Sequence, residues 1–225
     1  EKFVKSGYKV IALDGFLDQT GGRIKHIDPI IDQVNIINQK IEHVANLLQL
    51  VKSVDIIVDC MAWTSHHSAI NNPIYDLELN AKSHLELLTK IPINSKQKLI
   101  YLGSRGQYGN PNIELIDENT PMCPEDIQGI HKLSAESYYR VYSKLKKIDV
   151  ISLRFPNCFG KYQPTSGQDI GLIGSFIKDA LSGKRIEIYG TDRKRNIIYV
   201  DDLTDIIVKL VKYKFTGFNA YNING

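Results

Sequence analysis

The chain has 225 residues, 43% of them hydrophobic, enough to bury a sizeable core as one large or two small domains. Its 28 basic and 25 acidic residues leave a net charge of +3, which excludes the concentrated basic face of a nucleic-acid binder and points to small-molecule partners. Cys60, Cys123 and Cys158 are far apart with no CxxC pair, so no zinc site or disulfide framework is indicated and a reducing cytoplasm fits; no apolar run approaches the roughly 18 residues that span a bilayer.

The chain opens on "EKFVKSG", a charged helix-like turn with Gly7 as its cap, and runs into an apolar strand, Tyr8 to Leu13. Further strand-like runs are Val54 to Ala62, Lys98 to Gly103 and Val150 to Phe155. Between them, apolar residues at three- and four-residue spacing predict helices over Asn38 to Lys52, Pro73 to Thr89 and Ile127 to Lys146. Strands apolar on both faces, alternating with helices, predict a doubly wound α/β fold with a parallel sheet, Rossmann-like. After Phe155 the pattern loosens into a loop from Asn157 to Gly171, a helix from Leu172 to Leu181, a short strand Ile186 to Tyr189 and a last helix from about Asp201. We divide the chain into a dinucleotide-binding domain, 1–155, and a smaller substrate-binding lobe, 156–225, that returns to the sheet. The abrupt start and the close on "GFNAYNING" read as a fragment lacking both ends.

Asp14 closes the first strand, at the edge of such sheets where ligands bind. A carboxylate there accepts both hydroxyls of an adenosine ribose and repels a 2′-phosphate, which favours NAD, although Arg23 and Lys25 nearby soften the discrimination. The glycine-rich turn that cradles the pyrophosphate lies about 20 residues before such an acid, and is expected ahead of residue 1.

In chain order, "VIALDG", "DIIVDCMAW", "NNPIYDLELNAKSHLELL", "KLIYLGSRGQYG", "QGIHKLSAE", "LRFPNCFG", "IEIYG" and "RNIIYVDD" resemble the extended short-chain dehydrogenase/reductase family, in particular its nucleotide-sugar epimerases and dehydratases. The resemblance implies NAD as cofactor, a nucleotide-sugar substrate and a homodimer formed through the helices that match Pro73 to Thr89 and Ile127 to Lys146. It implies that Ser104, four residues before Tyr108 of the Tyr-Gly pair, hydrogen-bonds the sugar oxygen beside the carbon that loses hydride. Lys132 matches the lysine that holds the nicotinamide ribose and Ala62 lies in the matching cofactor strand. Asn157 and Arg195 match contacts to the substrate diphosphate, Arg195 being flanked by Arg193 and Lys194, and Tyr108 joins the substrate set. Asn80 matches an asparagine that bonds backbone near the active site. Dehydratases of the family carry Asp-Glu directly after the hydroxyl residue; Arg105 and Gly106 stand here, which argues for an epimerase or reductase.

The departure is Gln128. Family members carry the catalytic tyrosine four residues before the lysine, and residues four apart share a helix face, so Gln128 and Lys132 point into one site. A carboxamide hydrogen-bonds without ionising and cannot alternate as base and acid. Three readings are open: another group moves the proton, with His131 one turn along the helix preferred over Tyr108; the chain binds NAD or a sugar nucleotide without turnover; or hydride transfer proceeds with little side-chain help. The sequence reading is thus an NAD-dependent epimerase, with a non-catalytic sensor or a one-way reductase as alternatives. His66 and His67 are adjacent and point apart, so no metal is expected; Tyr138 and Tyr139 are read as core or dimer interface.

Overall fold

A computed structural model describes residues 1–18, 20–164, 171–188 and 194–225. It contains the expected α/β architecture, with every strand pairing parallel. A short helix α1 (Lys2–Lys5) is followed by β1 (Val10–Asp14), a 3-10 stretch (Ile24–Gln33) and β2 (Val34–Asn38). Then come α2 (Leu47–Lys52), β3 (Ile56–Asp59), α3 (His66–Asn71) and α4 (Pro73–Leu77), which continues through a π turn (Glu78–Lys82) into α5 (Ser83–Lys90). Next are β4 (Lys98–Ser104), α6 (Ile127–Lys146), β5 (Asp149–Phe155), β6 (Asn157–Phe159), α7 (Leu172–Leu181), β7 (Ile197–Tyr199), α8 (Val200–Leu210) and β8 (Phe218–Asn222).

The central sheet has the order β3-β4-β5-β8, β1 pairs with β2, and β6 with β7. A cavity of about 470 Å³ separates β1 from β3 and is lined by residues of both. Along β4, Leu99 and Tyr101 face one core and Ile100 the other, the alternation that a strand buried on both faces imposes. Leu47 and Val51 of α2, Leu87 and Leu88 of α5 and Tyr139 of α6 cover the first face; Leu203 and Ile207 of α8, with Phe3 of α1, cover the second.

Sequence and structure differ in three places. The helix expected over Asn38 to Lys52 is only α2, because Val34–Asn38 pairs with β1 as a strand and Ile41–His43 forms a 3-10 turn. The long loop after Phe155 begins with β6, whose partner β7 lies in "IIY"; residues 165–170 are outside the described residues. No strand forms over 186–188, and Tyr189 and Arg193 lie outside the described residues. Gly7 follows α1 with φ of 82°, the left-handed geometry that suits a residue just past a helix end. Among the described residues no helix is long and apolar enough to cross a membrane.

Candidate active site

The carboxyl end of β4 and the amino end of α6 meet because Gly129 lets them. A Cβ at that position would sit 2.8 Å from the Gly106 carbonyl oxygen, so only glycine permits this approach of the helix to the turn after Ser104. Asp126 starts α6 by accepting the Gly129 N–H at 2.7 Å, an N-cap that orients the first turn. Residues 128 and 132 then fall on the face turned to a cleft of about 1240 Å³, which Ser104, Gln128, Lys132, Ala62, Asn157 and Arg195 all line.

Ser104 ends β4, and its Oγ accepts the Gly106 N–H at 3.0 Å, leaving the hydroxyl proton for a ligand. Lys132 is 5% exposed; its Nζ donates to the Met61 carbonyl at 3.2 Å and lies over the Tyr101 ring. Burial lowers its pKa to about 8, against the pull of Asp59 and Asp76 in the other direction. Gln128 is committed to structure: its Nε2 donates to the Trp63 carbonyl at 2.7 Å. The same carbonyl accepts from Asn80 Nδ2 at 2.8 Å, and Asn80 Oδ1 accepts the Trp63 N–H at 3.1 Å, so Asn80 does bond backbone beside the site.

Two residues named from the sequence lie elsewhere. His131 bonds through Nδ1 to Asp76 at 2.6 Å and is not among the residues lining the cleft; one position before Lys132, it faces α4 instead of the site. Tyr108 is 2% exposed, donates to Asn222 Oδ1 at 2.8 Å and accepts from Arg154, so it ties the turn after Ser104 to β8 behind the cleft. Tyr139 is a core residue that donates to Asp59, whereas Tyr138 is exposed.

The cleft's far end is cationic. Arg105 reaches Asn157 Oδ1 with Nη2 at 3.5 Å, and Lys194 and Arg195 line the same cleft. Burial and then the charge of Arg195 hold the Arg105 pKa below its ordinary value. At the opposite end Asp14 lines the cavity between β1 and β3, with Oδ1 accepting the Phe16 N–H at 2.7 Å. Gly21, Cys60 and Ala62 line both cavities and join them into one trough.

Sequence reasoning missed one polar pair in this trough. His66, at the start of α3, places Nδ1 2.9 Å from Asp126 Oδ2, and both line the cleft. The signal for half of it was present, since an aspartate three residues before Gly129 at the head of an apolar-periodic run is an N-cap pattern.

A parallel sheet with its ligand trough outside the carboxyl ends of the strands defines a dinucleotide-binding type of α/β protein. The sequence pattern of the NAD dependent epimerase/dehydratase family matches residues 1–224, and the chain belongs to that family. A Methanocaldococcus jannaschii protein provisionally named a UDP-glucose 4-epimerase is 28% identical over 218 residues, 95% of this chain and 69% of that protein. The solved UDP-glucose 4-epimerase of Thermotoga maritima with UDP-glucose superposes with a TM-score of 0.87 at 24% identity, over 99% of this chain and 71% of that one. The Bacillus cereus UDP-glucuronic acid 4-epimerase, in complex with UDP-glucuronic acid and NAD, gives 0.86 at 22% identity, over 100% and 72%. Both likenesses describe the shared fold.

Proposed function

We propose that the chain is an NAD-dependent nucleotide-sugar epimerase working through hydride transfer and a keto-sugar intermediate. The observation that carries this reading is the convergence of Ser104, Gln128 and Lys132 on one trough with a cationic end at Arg105, Lys194 and Arg195. The residues present fit the cofactor: the buried Lys132 amine donates to the Met61 carbonyl and keeps further donors for ribose hydroxyls, and Asp14 offers a carboxylate at the trough's other end. When bound, NAD supplies the hydride acceptor and donor. Asp14 binds the adenosine ribose, Ala62 borders the cofactor, and Lys132 holds the nicotinamide ribose. Ser104 donates to the sugar oxygen and polarises it, while Asn157 and Arg195 bind the diphosphate, a task suited to a guanidinium that can engage two phosphate oxygens.

In this reading residues 1–155 carry the cofactor and 156–225 carry the substrate, in a cytoplasmic enzyme. Exposed Ile74 and Leu77 on α4 and Ile130, Val141 and Leu145 on α6 give the outer face of these helices the apolar character that a homodimer would cover.

One observation favours a second reading, a sensor that binds without turnover: the Gln128 carboxamide is bonded to Trp63 and ionises at no physiological pH. The test is to incubate the full-length protein with NAD and a panel of UDP-, GDP-, dTDP- and CDP-sugars and follow epimer formation by NMR. An epimerase interconverts at least one pair with no net consumption of NAD or NADH; binding without conversion across the panel selects the sensor.

A further inference from the structure

Gln128 leaves the reaction without its proton carrier, and His131 is turned onto Asp76. The cleft holds another imidazole. His66 stands three residues beyond Trp63, whose carbonyl is gripped by Gln128 and Asn80, so this segment is clamped against the head of α6. Its Nδ1 faces Asp126 Oδ2 at 2.9 Å, while the other Asp126 oxygen holds the Gly129 N–H at 2.7 Å and fixes the carboxylate. Among the described residues Nε2 of His66 has no protein partner, and the ring is exposed to the cleft that Ser104 and Lys132 line.

We infer that His66, oriented by Asp126, moves the proton that a tyrosine moves elsewhere in the family. The inference rests on the epimerase reading. A histidine whose Nδ1–H is held by a carboxylate presents its Nε2 lone pair outward, and the carboxylate stabilises the imidazolium that forms. NAD, when bound, would accept hydride from the sugar carbon and return it; His66 Nε2 would take the proton from the oxygen on that carbon as the C=O bond forms and give it back to the same oxygen when the carbon is re-reduced. Ser104 donates to that oxygen throughout and Lys132 remains with the ribose. The other charged groups lining the cleft around His66 are Glu125 on the acidic side and Arg105, Lys132, Lys161, Lys194 and Arg195 on the basic side.

The experiment uses the full-length protein, NAD and the nucleotide sugar that the panel selects. His66→Ala, at an exposed position and checked for an unchanged melting temperature, is expected to lower kcat by about 10²- to 10⁴-fold with KM changed only a few-fold. Asp126→Asn, which keeps an acceptor for the Gly129 N–H, is expected to lower kcat by about 10-fold. Independently of turnover, the imidazole ¹⁵N resonances of His66 are expected to move when that nucleotide sugar is added to the NADH-loaded protein. A His66→Ala enzyme with wild-type kcat, or resonances that do not respond to the selected nucleotide sugar, overturns the inference and leaves the epimerase reading standing. A wild-type protein that converts no nucleotide sugar overturns both.

Discussion

Helix α6 has two faces that treat polar groups in opposite ways. Toward β4 and β5, Glu136 is 1% exposed and saturated: Oε2 accepts from Gln107 at 3.2 Å, Ser152 at 2.7 Å and Arg154 Nε at 2.9 Å, and Oε1 pairs with the Arg154 guanidinium. Toward the cleft, Lys132 bonds one backbone carbonyl at 3.2 Å and, among the described residues, forms no ion pair. A polar group placed for structure is surrounded by its partners in the folded chain; under the proposed function, Lys132 is held short of them for a ligand.

Breaking the saturated face should have the largest effect. Glu136→Ala leaves the Arg154 charge buried without a carboxylate, and the expected loss is about 3–5 kcal/mol of unfolding free energy by urea denaturation. If the loss is under 1 kcal/mol, the pair is not the anchor described. The under-partnered face should announce itself in pH dependence. The Lys132 pKa falls from an ordinary 10.5 to about 8, so between these values the unfolded chain holds a proton that the folded chain does not. Stability therefore rises with pH across that window, by up to about 3 kcal/mol, and Lys132→Met should flatten the rise.

A smaller effect separates a third cluster from both. Burial pushes the Asp59 pKa up, but the charge and hydrogen bond of His84, with bonds from Tyr139 and the Met61 N–H, hold it below the usual carboxylate range. That stabilisation is complete above the unfolded carboxylate pKa and is lost as pH falls toward the folded one. Asp59→Asn should cost about 1–3 kcal/mol at neutral pH and make the acid limb of an unfolding titration shallower.

The cleft was legible in the sequence wherever local geometry decides position. Ser104 closes an apolar strand, and the four-residue spacing of Gln128 and Lys132 needs nothing but a helix to put both on one face. Arg195 and Asn157 followed from order along the chain. What was not legible depends on long-range partners. Asp59 meets His84 across 25 positions and Tyr139 across 80, and His66 meets Asp126 across 60. The adjacent histidines do diverge, His67 bonding Asn71 on its own helix, but divergence alone could not say that His66 would find a carboxylate. β2 was hidden because five residues of "VNIIN" are too few to show a period, and His131 was misplaced because one residue along a helix is about 100° of rotation.

The π turn at Glu78–Lys82 joins three otherwise separate contacts along one helical run. Ahead of it Asp76 meets His131, within it Asn80 grips Trp63, and beyond it His84 reaches Asp59. Such a turn holds one residue more than an α-helical one, so deleting a single residue there would restore regular winding while leaving the stretches on either side close to their present phase. Asp76 and His84, outside the turn, would keep their partners, whereas Asn80 lies within it and its grip on Trp63 would be disturbed, so the extra residue is tied to the reach of the asparagine.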